Sequence, residues 1–134
     1  QQWQHEGLVM DKWFDLQATR QEDNVLQNVM QLMDHPSFNF NNPNRVRSLI
    51  GAFAGQNLKA FHAIDGSGYR FLTDILIKLN KSNPQVASRL IEPLIRFARY
   101  DAQRQTLMKR ALERISETED LSRDLFEKIE KALQ

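Results

Sequence analysis

Apolar residues recur at helical spacing along most of the chain, and no segment alternates apolar and polar residues over the length of a strand. The sequence contains only 5 glycines and 4 prolines, so few positions interrupt this pattern. Stripes with a period of 3.6 residues predict helices over residues 8–16, 22–33, 42–55, 57–61, 71–79, 83–94, 101–115 and 121–133. The pattern therefore predicts an all-α protein in which about seven helices form an antiparallel array.

Two of these helices begin with the same dipeptide, Asn42-Pro43 and Asn83-Pro84. Asn is a favoured N-cap because its side-chain oxygen accepts an otherwise unpaired backbone N–H. Pro suits the next position because its missing N–H would have no partner there. An arginine follows about one turn further on, at Arg47 and at Arg89, and these two side chains are the best candidates for a ligand-facing surface.

Other local signals set further boundaries. Residues 65–68 predict a turn between two helices, Asp101 predicts an N-cap, and Pro93 should kink or end its helix. Gly51 and Gly55 stand four residues apart and predict a close helix crossing. Helix pairs recur at roughly 40 residues, which favours a HEAT-like or armadillo-like α-superhelix.

Composition narrows the classes of function. The chain has 134 residues, which suits a single domain or a piece of a larger one. Lys and Arg total 18 against 17 Asp and Glu, a balance that does not indicate a nucleic-acid partner. No apolar run is long enough to span a membrane, and the absence of cysteine excludes disulfides and thiolate metal sites. Because the first residue is Gln1 rather than Met, we expect a fragment or a processed product.

Five stretches together resemble one family, the aminopeptidase N family of zinc metallopeptidases of the gluzincin class. They are residues 7–14, 42–55, 61–69, 83–94 and 99–102. The resemblance covers nearly the whole chain and lies in the C-terminal part of that family. It implies that residues 1–134 form a single all-α domain, the C-terminal piece of a larger superhelical domain.

The resemblance also implies an enzyme that removes N-terminal amino acids from peptides with one zinc and a metal-activated water. Its His-Glu-x-x-His motif is absent here, because His5-Glu6 is followed by Val9 where the second His belongs. Nor do residues 51–55 supply the family's Gly-x-Met-Glu-Asn motif. No catalytic or metal-ligating residue is therefore expected in this chain. The zinc is expected in an upstream catalytic domain of a cytoplasmic, monomeric parent enzyme.

In that family, arginines of the two Asn-Pro helices face the cavity above the active site. Carried over by position, these are Arg47 and Arg89, and Gln85 stands on the same helix start as Arg89. They would hold backbone carbonyls or the C-terminal carboxylate of a bound peptide. The alternative is that these arginines are solvated or paired with acids, which is the interpretation we favour for Arg45. His62 is expected to fill a helix-packing position.

A second class of function stays open, a free-standing α-solenoid that binds a protein partner on its concave face. An exposed apolar patch along the N-terminal helices would favour the first hypothesis, because it would mark where upstream helices pack. A helical nucleic-acid-binding domain is less favoured, since acids are interspersed among the basic residues throughout the chain.

Overall fold

The computed structural model describes residues 2–21 and 24–133, with side chains from residue 7 onward, and the regular structure within these residues is helical. The all-α prediction is therefore confirmed for the described part of the chain. The chain divides into two compact units, Gln1–Phe61 and His62–Gln134, which are considered separately below. No helix among the described residues combines the length and the apolar character that crossing a bilayer requires.

The first unit is built from short helices around an aromatic and aliphatic core. Its elements are α1 (Gln2–Ala18), α2 (Val25–Leu32), α3 (Pro43–Val46), a π-helical turn (Arg47–Gly51), α4 (Ala52–Gln56) and α5 (Leu58–Phe61). The predicted helix over residues 42–55 is thus one run with a π-helical turn inside it. The predicted start of α2 at Glu22 lies outside the described residues. Phe14, Phe53 and Phe61 are fully buried and fill the centre.

The second unit contains the longer helices. Its elements are α6 (Ser67–Ser82), α7 (Pro84–Leu90), α8 (Glu92–Ile95), a 3₁₀ turn (Phe97–Arg99), α9 (Ala102–Ser116) and α10 (Arg123–Leu133). The core side chains, Leu72, Leu76, Leu79, Ile91, Leu94, Met108, Leu112, Ile115, Leu125 and Ile129, are fully buried. Pro93 ends the helix as predicted, because α7 stops at Leu90 and Pro93 lies in the first turn of α8.

The predicted helix caps are formed. Asn42 Oδ1 accepts the backbone N–H of Asn44 at 3.0 Å and that of Arg45 at 3.4 Å. Asn83 Oδ1 accepts the N–H of Val86 at 3.4 Å, and Asp101 caps α9 through the N–H of Arg104. These side chains satisfy donors that the first turn of a helix leaves without backbone partners.

Polar side chains link helices about one repeat apart. Asn57 Nδ2 donates to the carbonyls of Ala18 and Arg20 in the first unit, across 39 and 37 positions. In the second unit, Arg114 bonds to Asp74 and Lys128 to Ser88, each across 40 positions. These separations match the length of the predicted repeat, and the period itself stays a prediction. His62, Gly66 and Asp74 contact Arg104, Leu107 and Arg114 in the same order along the chain, so α6 and α9 run parallel.

The close helix crossing predicted at Gly51 and Gly55 is not found at Gly55. A Cβ atom built on Gly55 would meet no atom within 4 Å, so this glycine does not mediate a close helix crossing. Gly55 is exposed near the end of α4, on the side away from the core. The glycine that the fold requires is Gly66, where the left-handed φ of 77° starts α6 after the predicted turn.

Candidate functional site

Arg47 lies in the first unit, at the start of the π-helical turn that follows α3. Its side chain is exposed, and its Nη2 donates a hydrogen bond to Asn44 Oδ1 one turn earlier. The guanidinium is therefore held locally rather than by a distant element. Its remaining N–H donors face solvent, so they are open to a carbonyl or a carboxylate.

Gln85 and Arg89 lie in the second unit, one turn apart on α7, and both side chains are exposed. Together they line a groove of about 530 Å³, whose other wall is formed by Asp124, Glu127 and Lys128 of α10. Residues four apart on a helix point in nearly the same direction, which explains why these two side chains share the groove. The structure thus brings together two of the three predicted site residues.

The charged groups of this groove are not equivalent. Lys128 Nζ donates to the carbonyl of Ser88 at 2.7 Å and pairs with Glu92 at 3.1 Å. Glu127 accepts from Arg123 Nε at 3.0 Å. Arg89 makes no hydrogen bond or ion pair with a described residue, so all five of its N–H donors are open, whereas Lys128 already uses two of its three. A planar guanidinium in this position suits a carboxylate or a peptide carbonyl.

A joint site for Arg47 and Arg89 stays a prediction. Arg47 belongs to the unit Gln1–Phe61, whereas Gln85 and Arg89 belong to the unit His62–Gln134. A ligand-binding arginine must be exposed, and both Arg47 and Arg89 are exposed just after a capped helix start.

Arg45 has a different role from its neighbour Arg47. Its side chain is only 14% exposed and forms an ion pair of 2.6 Å with Asp11 on α1. It also donates to the carbonyls of Ser37 and Gly7, each at 3.0 Å. The favoured interpretation, that Arg45 is paired with an acid, is confirmed. The side chain ties the loop before α3 to α1, which leaves little of it for a ligand.

His62 fills a packing position, as predicted. It is buried, stacks on Tyr100 with ring centroids 4.1 Å apart, and is hydrogen-bonded through Nδ1 to the Tyr69 hydroxyl at 2.6 Å. Burial, aided by the positive charge of Arg104, lowers the pKa of His62 to about 4. The imidazole is therefore neutral at physiological pH and acts as a structural element.

A metal site would need several ligating side chains close together. The described residues contain no group of three or more His, Asp or Glu side chains arranged to hold a metal ion. The side chain of His5 lies outside the described residues. No zinc ligand is therefore assigned among the side chains that the structure describes.

Apolar residues lie on two faces of α1, and one of these faces is exposed. Phe14 is fully buried, but Leu8, Val9 and Leu16 are 69%, 52% and 54% exposed. A helical turn of 100° per residue places these three and Trp13 on one side of α1, away from Phe14. The exposed apolar patch that was expected if upstream helices pack here is present on α1.

Sequence reasoning missed a second groove in the second unit, between α6 and α9. Arg70, Arg110 and Arg114 surround it, and it has a volume of about 270 Å³. Its signal in the sequence is the pair of arginines four apart on α9, but only the packing of α9 against α6 brings Arg70 beside them.

Comparison with known proteins places the chain in a family. A family model described as a domain of unknown function (DUF3458_C) with ARM repeats matches residues 1–134. Aminopeptidase N of Haemophilus influenzae is 78% identical over 134 residues, which are 100% of this chain and 15% of that protein. Aminopeptidase N of Escherichia coli is 64% identical over 131 residues, 98% of this chain and 15% of that protein.

A solved structure gives the same result. The crystal structure of Legionella pneumophila aminopeptidase A in complex with aspartic acid matches with a TM-score of 0.90 and 33% identity, and the match covers 98% of this chain and 15% of that one. The chain thus spans about 15% of the length of these relatives. It is similar to the C-terminal region of bacterial aminopeptidase N and belongs to the ARM-repeat family described as DUF3458_C.

Proposed function

We propose that this chain is the non-catalytic C-terminal domain of a zinc-dependent aminopeptidase, which removes N-terminal amino acids from peptides. The observation that carries the proposal is the 78% identity to an aminopeptidase N across all 134 residues. The chain accounts for 15% of that relative, so the catalytic domain belongs to the remaining length of the parent polypeptide. We place this parent enzyme in the cytoplasm as a monomer, in keeping with a sequence without cysteine.

The zinc of this proposal lies outside the chain. In the catalytic domain it would supply an activated water for peptide hydrolysis. The described residues offer no ligand set that fits a zinc ion, and we assign no step of the chemistry to this domain. Its role is to cap the active-site cavity and to help hold the peptide.

The exposed apolar face of α1 supports the domain's position within a longer superhelix. Leu8, Val9 and Leu16 expose more than half of their surface on one face, whereas the opposite face buries Phe14. A helix that is apolar on two faces is typical of the interior of a helical stack. In the parent enzyme, a preceding helical repeat of the same polypeptide would cover Leu8, Val9, Trp13 and Leu16.

The arginines give the domain its contact with substrate. Arg89 has unused donors beside Gln85 in the groove of α7 and α10, and Arg47 has unused donors at the first helix start. A guanidinium binds a carboxylate through two parallel hydrogen bonds, and an amide side chain binds a peptide carbonyl. We assign Arg47, Gln85 and Arg89 to the carbonyls and the C-terminal carboxylate of peptides that extend beyond the cleaved residue.

The test uses the full-length parent enzyme. Arg89→Ala and Arg47→Ala should each raise KM for a tetrapeptide about tenfold, the effect of losing one charged hydrogen bond. The rate on a single-residue alanyl amide should stay unchanged, because that substrate does not reach the domain. Arg96→Ala is the matched control, since Arg96 is an exposed arginine of the same unit without a described partner. Equal kinetics of all variants on both substrates would refute the substrate role.

A further inference from the structure

The groove between α6 and α9 has an apolar floor and a cationic rim. Gly66, Leu107 and Ala111 form the floor, and the exposed side chains of Arg70, Arg110 and Arg114 surround it. The lack of a side chain at Gly66 leaves this part of the floor open, since a Cβ there would lie 3.3 Å from Arg70 Nη1 and 3.5 Å from Leu107 Cδ2. Apolar surface bordered by arginines is a common composition for a peptide-binding surface.

The three arginines differ in whether their N–H donors already have partners in the protein. Arg70 donates to the carbonyl of Asp65 at 2.9 Å, and Arg114 pairs with Asp74 at 2.6 Å. Arg110 forms no hydrogen bond or ion pair with any described residue. The rim therefore has three guanidinium groups against the carboxylates of Asp65, which interacts electrostatically with Arg70, and Asp74. The positive charge in excess is centred on Arg110.

The apolar floor continues beyond the arginines. Leu107 also lines a neighbouring depression together with Ile64, whose side chain is 50% exposed. An exposed isoleucine beside a half-buried leucine gains free energy when a ligand's apolar side chain covers both. The surface thus presents one strip of apolar contact, with a guanidinium about one helical turn from Leu107.

We propose that this groove, independently of the aminopeptidase assignment, binds an acidic peptide segment. The segment would seat an apolar side chain against Leu107 and Ala111 and place a carboxylate on Arg110 in a bidentate pair. The positive charge of the arginine rim favours a peptide that carries carboxylates. Nucleic acid fits the surface less well, because Tyr69, the aromatic residue of the groove, is buried and offers no stacking face.

The test measures binding of labelled peptides to the full chain by fluorescence anisotropy. The probe is a hexapeptide that alternates glutamate and leucine, and it is compared with the lysine-leucine and the glutamate-serine hexapeptides. Only the glutamate-leucine peptide should bind with a Kd below about 1 mM. Arg110→Glu should weaken its binding about tenfold or more, which is the loss of one charge-assisted pair.

Two control variants distinguish the groove from general charge effects. Arg96→Glu makes the same charge change at an exposed position away from the groove and should leave the Kd unchanged. Leu107→Ser should weaken the binding of the glutamate-leucine peptide. The helicity of this variant, measured by circular dichroism, should stay the same. The proposal is overturned if the wild-type chain does not bind the probe, or if Arg96→Glu and Arg110→Glu weaken it equally. Tighter binding of a single-stranded oligonucleotide that Arg110→Glu abolishes would also overturn it.

Discussion

The two Asn-Pro helix starts share a cap but differ in the contacts of their first turn. In the first, the third residue after the Asn is Arg45, which bonds to Asp11 and to two backbone carbonyls. In the second, the same position holds Val86, which is buried. The second start is linked to the next repeat by Lys128, which donates to the carbonyl of Ser88.

This difference separates structural arginines from arginines that are open to a ligand. Arg45 is mostly buried and its acceptors belong to the protein, so its removal would leave carbonyls and a carboxylate without partners. Arg89 is exposed and has no described partner, so its removal costs the fold little. Two arginines near identical helix caps can therefore have opposite roles.

The largest expected effect on stability comes from removing the contacts of Arg45 at the first helix start. Arg45→Met keeps the length of the side chain but removes its three hydrogen bonds, and it should lower the free energy of unfolding by about 2–3 kcal/mol. Arg89→Met, the matched change at the second start, should lower it by less than about 0.5 kcal/mol. Urea denaturation of both variants measures the difference. Equal losses would show that the two arginines are not distinguished by their contacts.

A second comparison is between the stability of the chain at neutral and at acidic pH, because the second unit contains a buried neutral histidine. The pKa of His62 is about 4 in the folded chain and 6.5 in an unfolded one, so below pH 6.5 the unfolded state binds more protons. The contribution of neutral His62 to the free energy of unfolding is therefore fully present above pH 6.5 and is lost as the pH falls towards 4. We expect a loss of about 1–2 kcal/mol over that range, after allowance for partial solvent screening.

Denaturation at a series of pH values measures this loss. His62→Gln should remove most of the pH dependence above about pH 4.5. The carboxyls of Asp65 and Asp101 contribute only at lower pH, because their pKa values lie below the usual range. An unchanged pH profile in this variant would mean that another group controls the acid response.

The smallest effects are expected at the caps themselves. Asn42→Ala and Asn83→Ala should each lower the free energy of unfolding by about 1 kcal/mol, because each leaves an N-terminal amide without its acceptor. Asn42 accepts two N–H groups and Asn83 one, so the first change should cost slightly more. Asn→Asp at either position should retain most of the stability. Similar values at both sites would confirm that the helix starts are locally equivalent.

Local signals predicted the helix boundaries because their causes lie within a few residues. Asn42, Asn83 and Asp101 cap helices, and Pro93 ends one, through contacts made inside a single turn. The prediction at Gly55 was not met, because it depended on a distant part of the chain. The glycine spacing at Gly55 did not produce a crossing, because no neighbouring helix approaches it within the described residues.

For the candidate site residues, too, local features were predicted from the sequence and long-range contacts were not. Position after the helix caps singled out Arg47 and Arg89, and resemblance to a family added Gln85, but the sequence did not show which groups Arg45 contacts. Contacts across 34 and 38 positions, to Asp11 and Gly7, assign Arg45 to the fold. The arginine-rimmed groove was missed because Arg70 and Arg110 meet only when α6 packs beside α9.

The sequence by itself determined that the chain is helical and where most of its helices begin and end. These properties depend on periodicity and on caps, which act over one or two turns. Only the tertiary structure decided which face of α1 is buried and which arginine is tied to the fold. Burial and ion pairing depend on atoms that lie far apart in the chain and meet only after the helices have packed.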